Sequence, residues 1–126
     1  MAYTELGQHD DAQRCIDGAI DKVERLNEKS LEPEVLRIAG EIALKSLAPD
    51  AEKAEKHFER AVSAAGRRQM KSFELRAAMS MARLWRDQGK PQQARELLAP
   101  VYGWFTEGFD MPDLKEAKAL LDELAA

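Results

Sequence analysis

The chain has 126 residues, of which 44% are hydrophobic and 33% are charged, and its formal net charge is −4. This composition is typical of one globular domain, and the acidic balance excludes the strongly basic surface on which generic binding to nucleic acids or anionic membranes depends. No apolar run approaches the roughly 20 residues that a bilayer-spanning helix needs. Cys15 is the only cysteine, so an intrachain disulfide is excluded and a reducing, cytoplasmic compartment is expected.

Apolar residues recur at intervals of three and four along the chain, which predicts an all-α fold. Glycine and proline separate stretches that are rich in strong helix formers. Asp50 is predicted to cap its helix, and Asp113 with Glu116 is predicted to form a capping box. In chain order, the predicted helices cover about 2–6, 10–28, 33–46, 50–67, 72–88, 91–105 and 113–125.

Three segments repeat one pattern. In each, an early alanine is followed by a large apolar residue four positions later and by a smaller apolar residue three positions after that. The triplets start 42 and 40 residues apart and are Ala12–Ile16–Ala19, Ala54–Phe58–Ala61 and Ala94–Leu98–Val101. Small residues let antiparallel helices approach closely, and the larger ones fill the space between repeats.

The pattern resembles the tetratricopeptide repeat over most of the chain. The resemblance implies antiparallel helix-hairpin repeats stacked as an α-solenoid within a single domain, 1–126. It comprises a half repeat at about 1–29, repeats at about 33–67 and 72–105, and a capping helix at about 113–125. The matching residues are Tyr3, Gly7, Ala12, Ile16, Ala19, Leu36, Gly40, Ala54, Phe58, Ala61, Ala82, Trp85, Gly89, Ala94, Leu98 and Val101.

The chain departs from that family's pattern in its spacing and at its start. The usual period is about 34 residues, so helices or loops are expected to be extended here. Only a short helix precedes Gly7, so we expect Met1 not to be the natural start of an independent domain. The sequence of residues 82–124 also resembles the carboxy-terminal end of large bacterial signalling proteins. In those proteins, a cyclase or DNA-binding domain and an ATPase precede a helical repeat region.

A row of charged residues is the first candidate site. In the resembling family, the first helix of each pair lines a concave groove. The predicted partner groove consists of Arg37, Glu41, Arg76, Met79, Arg83 and Arg86. Arginines at helical spacing would grip an acidic segment or helix through bidentate contacts. The alternative is a solvated helix face with pairs inside each helix, and a carboxylate clamp of the kind that grips chaperone tails is disfavoured because no asparagine lies at these positions.

The truncated first repeat predicts a second site. With most of its partner helix missing, the apolar face of the helix at 10–28 is expected to bind another copy of the chain, which would make the isolated chain a homo-oligomer. The predicted self-association face consists of Tyr3, Ile16, Ala19 and Val23.

No constellation in the sequence predicts catalysis, a metal or a cofactor. His9, Asp10, Asp11 and Cys15 are close in sequence, but they lie across a turn and a helix start, where helix capping explains the aspartates better than metal ligation. His57 is expected to be a solvated surface histidine. No nucleophile–base pair or phosphate-binding loop is present, so the chain is predicted not to be an enzyme.

The functional prediction is therefore a non-catalytic module for protein–protein contact or self-association in a bacterial regulatory protein. The alternative is a ligand-sensing repeat domain that regulates an attached ATPase or cyclase. The aromatic stretch "VYGWFTEGFDMPDL", residues 101–114, is called the elbow below. It is expected to be the buried part of a cap, with its aromatic side chains under the final helix.

Overall fold

The computed structural model describes residues 12–21, 31–46 and 49–125. Over these residues the chain is helical, with no strand, so the all-α prediction is confirmed. The helices are α1 (residues 12–21), α2 (Glu32–Lys45), α3 (Ala51–Arg67), α4 (Lys71–Asp87), α5 (Pro91–Gly103) and α6 (Pro112–Ala125).

Local sequence signals set most of the helix starts. The Asp50 side chain accepts a hydrogen bond from the Lys53 backbone N–H at 3.0 Å, which confirms the predicted cap of α3. Proline occupies the first turn of both α2 and α5, where its missing N–H has no intrahelical partner to lose.

The predicted capping box of α6 is wrong. This helix begins at Pro112, one residue earlier than expected, and the Met111 carbonyl accepts the first bond from the Lys115 N–H at 3.0 Å. Asp113 therefore lies inside the first turn, and its carboxylate binds Arg76 of α4 instead of the end of its own helix. Proline at the first helical position favours this earlier start.

Helices α3 and α4 end in the same way. In each, the residue two past the helix end has positive φ, 57° at Gln69 and 76° at Gly89. The next N–H turns back to a carbonyl in the last turn: Met70 to Ala65 at 2.9 Å, and Lys90 to Trp85 at 2.8 Å. This is the Schellman arrangement, which usually places glycine at the left-handed position.

Helix α4 is the centre of the packing. Consecutive helices from α2 to α6 pack against one another, and α4 also packs against α2 and α6. Ile20 of α1 packs against a cluster formed by Leu36, Ala61 and Ala77. The described residues form two further buried clusters, one between α2, α3 and α4 and one between α4, α5 and α6. The helices therefore depend on one another for burial.

The predicted small residues lie where helices meet. Ala54, Ala61, Ala82 and Ala94 are fully buried. Phe58 and Leu98, the large members of the second and third triplets, are also fully buried. The repeat pattern therefore identified core positions, although burial by itself says nothing about the family.

Candidate functional site

The arginines of α4 share one face, as predicted, but their partners lie on neighbouring helices. Arg76 donates from Nε to Asp113 of α6 at 2.9 Å and from Nη1 to Glu34 of α2 at 2.8 Å. Arg83 donates to Glu116 at 3.3 Å. These bonds tie three helices together across a single surface.

The same pattern continues toward the end of α4. Arg86 donates to Glu123 of α6 at 2.8 Å and to the neighbouring Asp87 at 3.1 Å. On α2, Arg37 bonds to Glu34, while Glu41 is half-buried on the same helix. We call the interhelical bonds of Arg76, Arg83 and Arg86 the ion-pair ladder.

The ladder changes the ionisation of its most enclosed carboxylate. Burial alone would raise the pKa of Glu34, but hydrogen bonds from Arg37 and Arg76 outweigh burial and lower that pKa. The pKa of Arg76 is raised, first by its bond to Asp113 and then by its bond to Glu34. Both groups are therefore held in their charged forms.

Met79 does not line the predicted groove. It is 2% exposed and lies in the cluster formed by α4, α5 and α6, together with Leu75 and Leu98. Its register on α4 turns it toward this core, because α6 packs beside α4 and closes that side. The prediction that Met79 contacts a partner is wrong for this reason.

The remaining surface between α4 and α6 is shallow and carries both signs of charge. A pocket of about 240 Å³ is lined by Arg83, Arg86, Glu116, Ala119, Leu120 and Glu123. Because the arginines already hold carboxylates of α6, an acidic partner would have to displace those contacts. The predicted open basic groove is thus replaced by an internally neutralised surface.

The predicted self-association face is only partly covered by the described residues. Ile16 is 8% exposed, hence buried within the chain, and Ala19 is half-buried. Tyr3 and Val23 lie outside the described residues. Ile16 is therefore not an open contact residue, and Ile20 on the same helix packs against the core.

The elbow, in contrast, is largely exposed. Trp104 is 57% exposed, Met111 60% and Phe109 45%. The prediction that the elbow aromatics pack under the final helix is wrong for Trp104 and Phe109, whereas Tyr102 and Phe105 do pack against the cluster that includes leucines of α6. Three large apolar side chains exposed within one short connection are candidates for a contact site.

Two ring contacts and one cation order the elbow. Trp104 meets Phe105 edge to face, with ring centroids 5.2 Å apart, and Lys71 Nζ lies 5.3 Å from the centre of the Trp104 ring. Tyr102 and Phe109 pack in a tilted pair at 5.9 Å. These contacts hold the exposed rings in place before any partner arrives, which lowers the entropy cost of binding.

A second pocket opens beside the elbow. It has a volume of about 300 Å³ and is lined by Tyr102, Phe109, Leu114, Lys115, Lys118, Ala119 and Asp122. Its lining combines apolar side chains with two lysines and one aspartate. Lys118 bonds to Asp122 at 3.1 Å, whereas the Lys115 side chain makes no ion pair with any residue that the structure describes.

The single histidine of α3 departs from its prediction. His57 is half-buried, and both of its ring nitrogens are enclosed without a hydrogen-bond partner among the described residues. Burial lowers the pKa of His57, Lys53 and Arg60 lower it further, and Asp17 of α1 raises it. His57 is therefore a poorly solvated group between α1 and α3.

The other polar residues weighed for chemistry do not assemble into a centre within 12–21, 31–46 and 49–125. No group of three or more His, Cys, Asp or Glu residues there could hold a metal ion. Cys15 is exposed, while His9, Asp10 and Asp11 lie outside the described residues.

Sequence reasoning missed the exposure of the elbow, although one signal for it was present. Gly103, Gly108 and Pro112 frame an eight-residue connection between α5 and α6, and connections of this kind run over protein surfaces. Aromatic residues in such a connection are contact candidates by position alone.

None of the helices in the described part of the chain is both long and apolar enough to cross a membrane. Comparison of the chain with protein-family models, with curated proteins and with solved structures gives no match.

Proposed function

We propose that this chain is a non-catalytic, tetratricopeptide-like helical module that makes protein–protein contacts in a cytoplasmic bacterial regulatory protein. The order of contacts supports the repeat assignment, because α4 packs against both neighbouring hairpin partners and against the alternate helices α2 and α6. Helix-hairpin arrays bury their cores between repeats in this manner.

The exposed elbow is the observation that carries the proposal. Trp104 and Met111 each leave more than half of their surface in water, although a lone exposed apolar side chain would need no explanation. Tryptophan, methionine and phenylalanine are enriched in protein interfaces, and tryptophan is among the residues that most often dominate their energy. Their concentration in one ordered connection favours protein contact over catalysis.

The ion-pair ladder supports a rigid scaffold behind that surface. Arg76 alone joins α2, α4 and α6, so a force applied at the elbow would pass to helices on both sides of α4. In a regulatory protein, such a scaffold would transmit partner binding to an attached ATPase, cyclase or DNA-binding domain.

A ligand-sensing role is the second candidate, and the pocket beside the elbow favours it. A lining that combines Tyr102, Phe109 and Leu114 with two lysines would accept a small amphipathic anion. Binding there would change the order of the elbow and so regulate an attached domain.

Site-specific photocrosslinking in cells of the source organism tests the contact function. A photoreactive amino acid placed at Trp104 or Met111 should give covalent adducts with protein. Leu31 is the matched control, because it is 58% exposed and lies at the start of α2. Equal adduct yields at all three positions, or none at the elbow, would contradict the proposal.

A further inference from the structure

We infer that α1 is released from α3 when His57 takes up a proton, while α2 to α6 stay folded. This inference goes beyond the proposed contact function and does not depend on it, because it concerns a different surface. Release would uncover apolar side chains at the α1 contact, namely Ile16 and Ile20 on α1 and Leu36 and Ala61 in the core beside them. Mild acid would thus open a second contact surface.

The position of His57 on α3 places it on the side of α1. His57 is four residues before Ala61, so the two share a face of α3, and Ala61 belongs to the cluster against which Ile20 of α1 packs. Glu55, which accepts the bond from Trp85 of α4, is two residues from His57 and hence lies nearly opposite it around the helix. The side of α3 that carries His57 is therefore turned away from α4.

The His57 ring is closed off from water at both nitrogens. Neither Nδ1 nor Nε2 has a hydrogen-bond partner among the described residues, and almost none of the surface of either atom is exposed. A neutral imidazole leaves one donor and one acceptor unsatisfied in this site, whereas an imidazolium would bring a charge and two donors into it. The enclosed site therefore favours the neutral ring.

The charges around His57 add to this preference. Burial is the first cause that lowers the pKa of His57, followed by Lys53 and then Arg60 on the same helix. Asp17 of α1 raises that pKa without reversing the direction. No charged residue in the described parts of α2 or α4 is among the groups that shift it.

Proton uptake and the release of α1 are therefore coupled. Once α1 has left, the His57 ring meets water and its pKa approaches the ordinary value of about 6.5, whereas the pKa is lower while α1 is docked. The released state thus binds the proton more tightly, and falling pH favours release. From about pH 6.5 down to the pKa of the docked state, the equilibrium should shift toward release by up to about tenfold per pH unit.

Amide hydrogen exchange of the full chain, resolved for α1 and α4, measures this release. Protection factors are compared at pH 7.5 and pH 5.5, because they divide out the intrinsic effect of pH on exchange. We expect α1 to be less protected than α4 at both pH values, and its protection to fall about threefold or more at the lower pH. Urea below the unfolding transition should leave exchange in α1 unchanged, as expected for local release.

Three variants test the role of His57. His57→Leu removes the proton site and should make the protection of α1 independent of pH over this range. Asp17→Asn should have the opposite effect, because loss of the charge lowers the pKa of docked His57 further, while asparagine keeps an oxygen for the bond from Gln13. Asp21→Asn is the matched control, since Asp21 is exposed on α1 and is not among the groups that shift His57.

Three outcomes would overturn the inference. Protection of α1 that is the same at both pH values, or that falls equally in the parent and in His57→Leu, would show that His57 does not control release. Exchange of α1 and α4 through one urea-sensitive opening would show that the chain unfolds as a unit. None of these results bears on crosslinking at the elbow, so the two proposals stand or fall separately.

Discussion

Gly40 of α2 lies directly against the ring of Phe58 on α3. A β-carbon built on Gly40 would lie 2.7 Å from Phe58 Cδ1 and 2.9 Å from Cζ, closer than side chains pack. Phe58 is fully buried and cannot move toward solvent. The hydrogen at this position is therefore what lets α2 and α3 approach.

Gly40→Ala should consequently destabilise the protein. Alanine is the better helix former by about 1 kcal/mol, but forcing a methyl group into a packed ring costs typically about 1–3 kcal/mol or more. We expect the free energy of unfolding in urea to fall overall. Gly18→Ala is the matched control: nothing lies within 4 Å of its β-carbon position, so it should gain about 0.5–1 kcal/mol.

Gln69 and Gly89 give a paired test of the helix ends. Both occupy the left-handed position after a helix, where a residue with a β-carbon costs roughly 1–2 kcal/mol. Gln69→Gly should raise the free energy of unfolding by about 0.5–1 kcal/mol after the extra freedom of the unfolded chain is counted. Gly89→Ala should lower it by about 1 kcal/mol, and equal signs for the two changes would contradict this account.

Replacing the buried Ser80 with alanine should stabilise the protein. Its hydroxyl is buried on α4 and has no hydrogen-bond partner among the described residues. Because an unsatisfied buried polar group costs about 1–3 kcal/mol, Ser80→Ala should raise the melting temperature, with a gain of about 1 kcal/mol. The exposed Ser72 on the same helix should show little change when replaced by alanine.

His57 should make stability fall in mild acid. Burial, Lys53 and Arg60 lower the pKa of His57 in the folded protein against the opposing effect of Asp17. The unfolded chain, with a histidine pKa of about 6.5, then binds protons more readily. The contribution of neutral His57 to the free energy of unfolding is therefore complete above about pH 6.5. It is lost as the pH falls from there through the lowered pKa of the folded protein.

His57→Leu should flatten that dependence. Denaturant midpoints between pH 7.5 and pH 5 measure it, and the slopes of parent and variant are compared so that any absolute change in stability does not matter. His9 is present in both proteins, so its effect on the pH dependence cancels in the comparison. Parallel slopes would show that His57 is solvated after all.

Arg76 should contribute more than its neighbour Arg83. Arg76 bonds to carboxylates on two other helices, whereas Arg83 makes one longer bond. Arg76 is partly exposed, so solvent screening reduces the expected loss for Arg76→Met to roughly 1 kcal/mol. Arg83→Met should cost about half of that or less. The difference in urea midpoints between the two variants should shrink as salt is raised.

The helices and the small core residues were predictable because their signals are local. Asp50, Pro91 and the alanine-rich spacing act within one or two turns of chain. The predictions for Met79, Ile16 and Trp104 failed because an apolar side chain on a helix or turn looks the same in sequence whether or not a distant element covers it. The prediction that Asp113 caps α6 failed for a related reason. A carboxylate at the start of a helix can either cap that helix or form an ion pair with another helix, and both roles look the same in the sequence.

By itself, then, the sequence determined the all-α class, most helix boundaries and the close-packed positions, since these follow from propensity, capping and periodicity. The tertiary structure decided which surfaces remain open. Arg76 is neutralised by residues 37 and 42 positions away, and Trp104 stays in water while Tyr102 and Phe105 pack against the cluster that α6 shares with α4 and α5. Both results depend on contacts between segments far apart in the chain, which a local sequence pattern does not reveal.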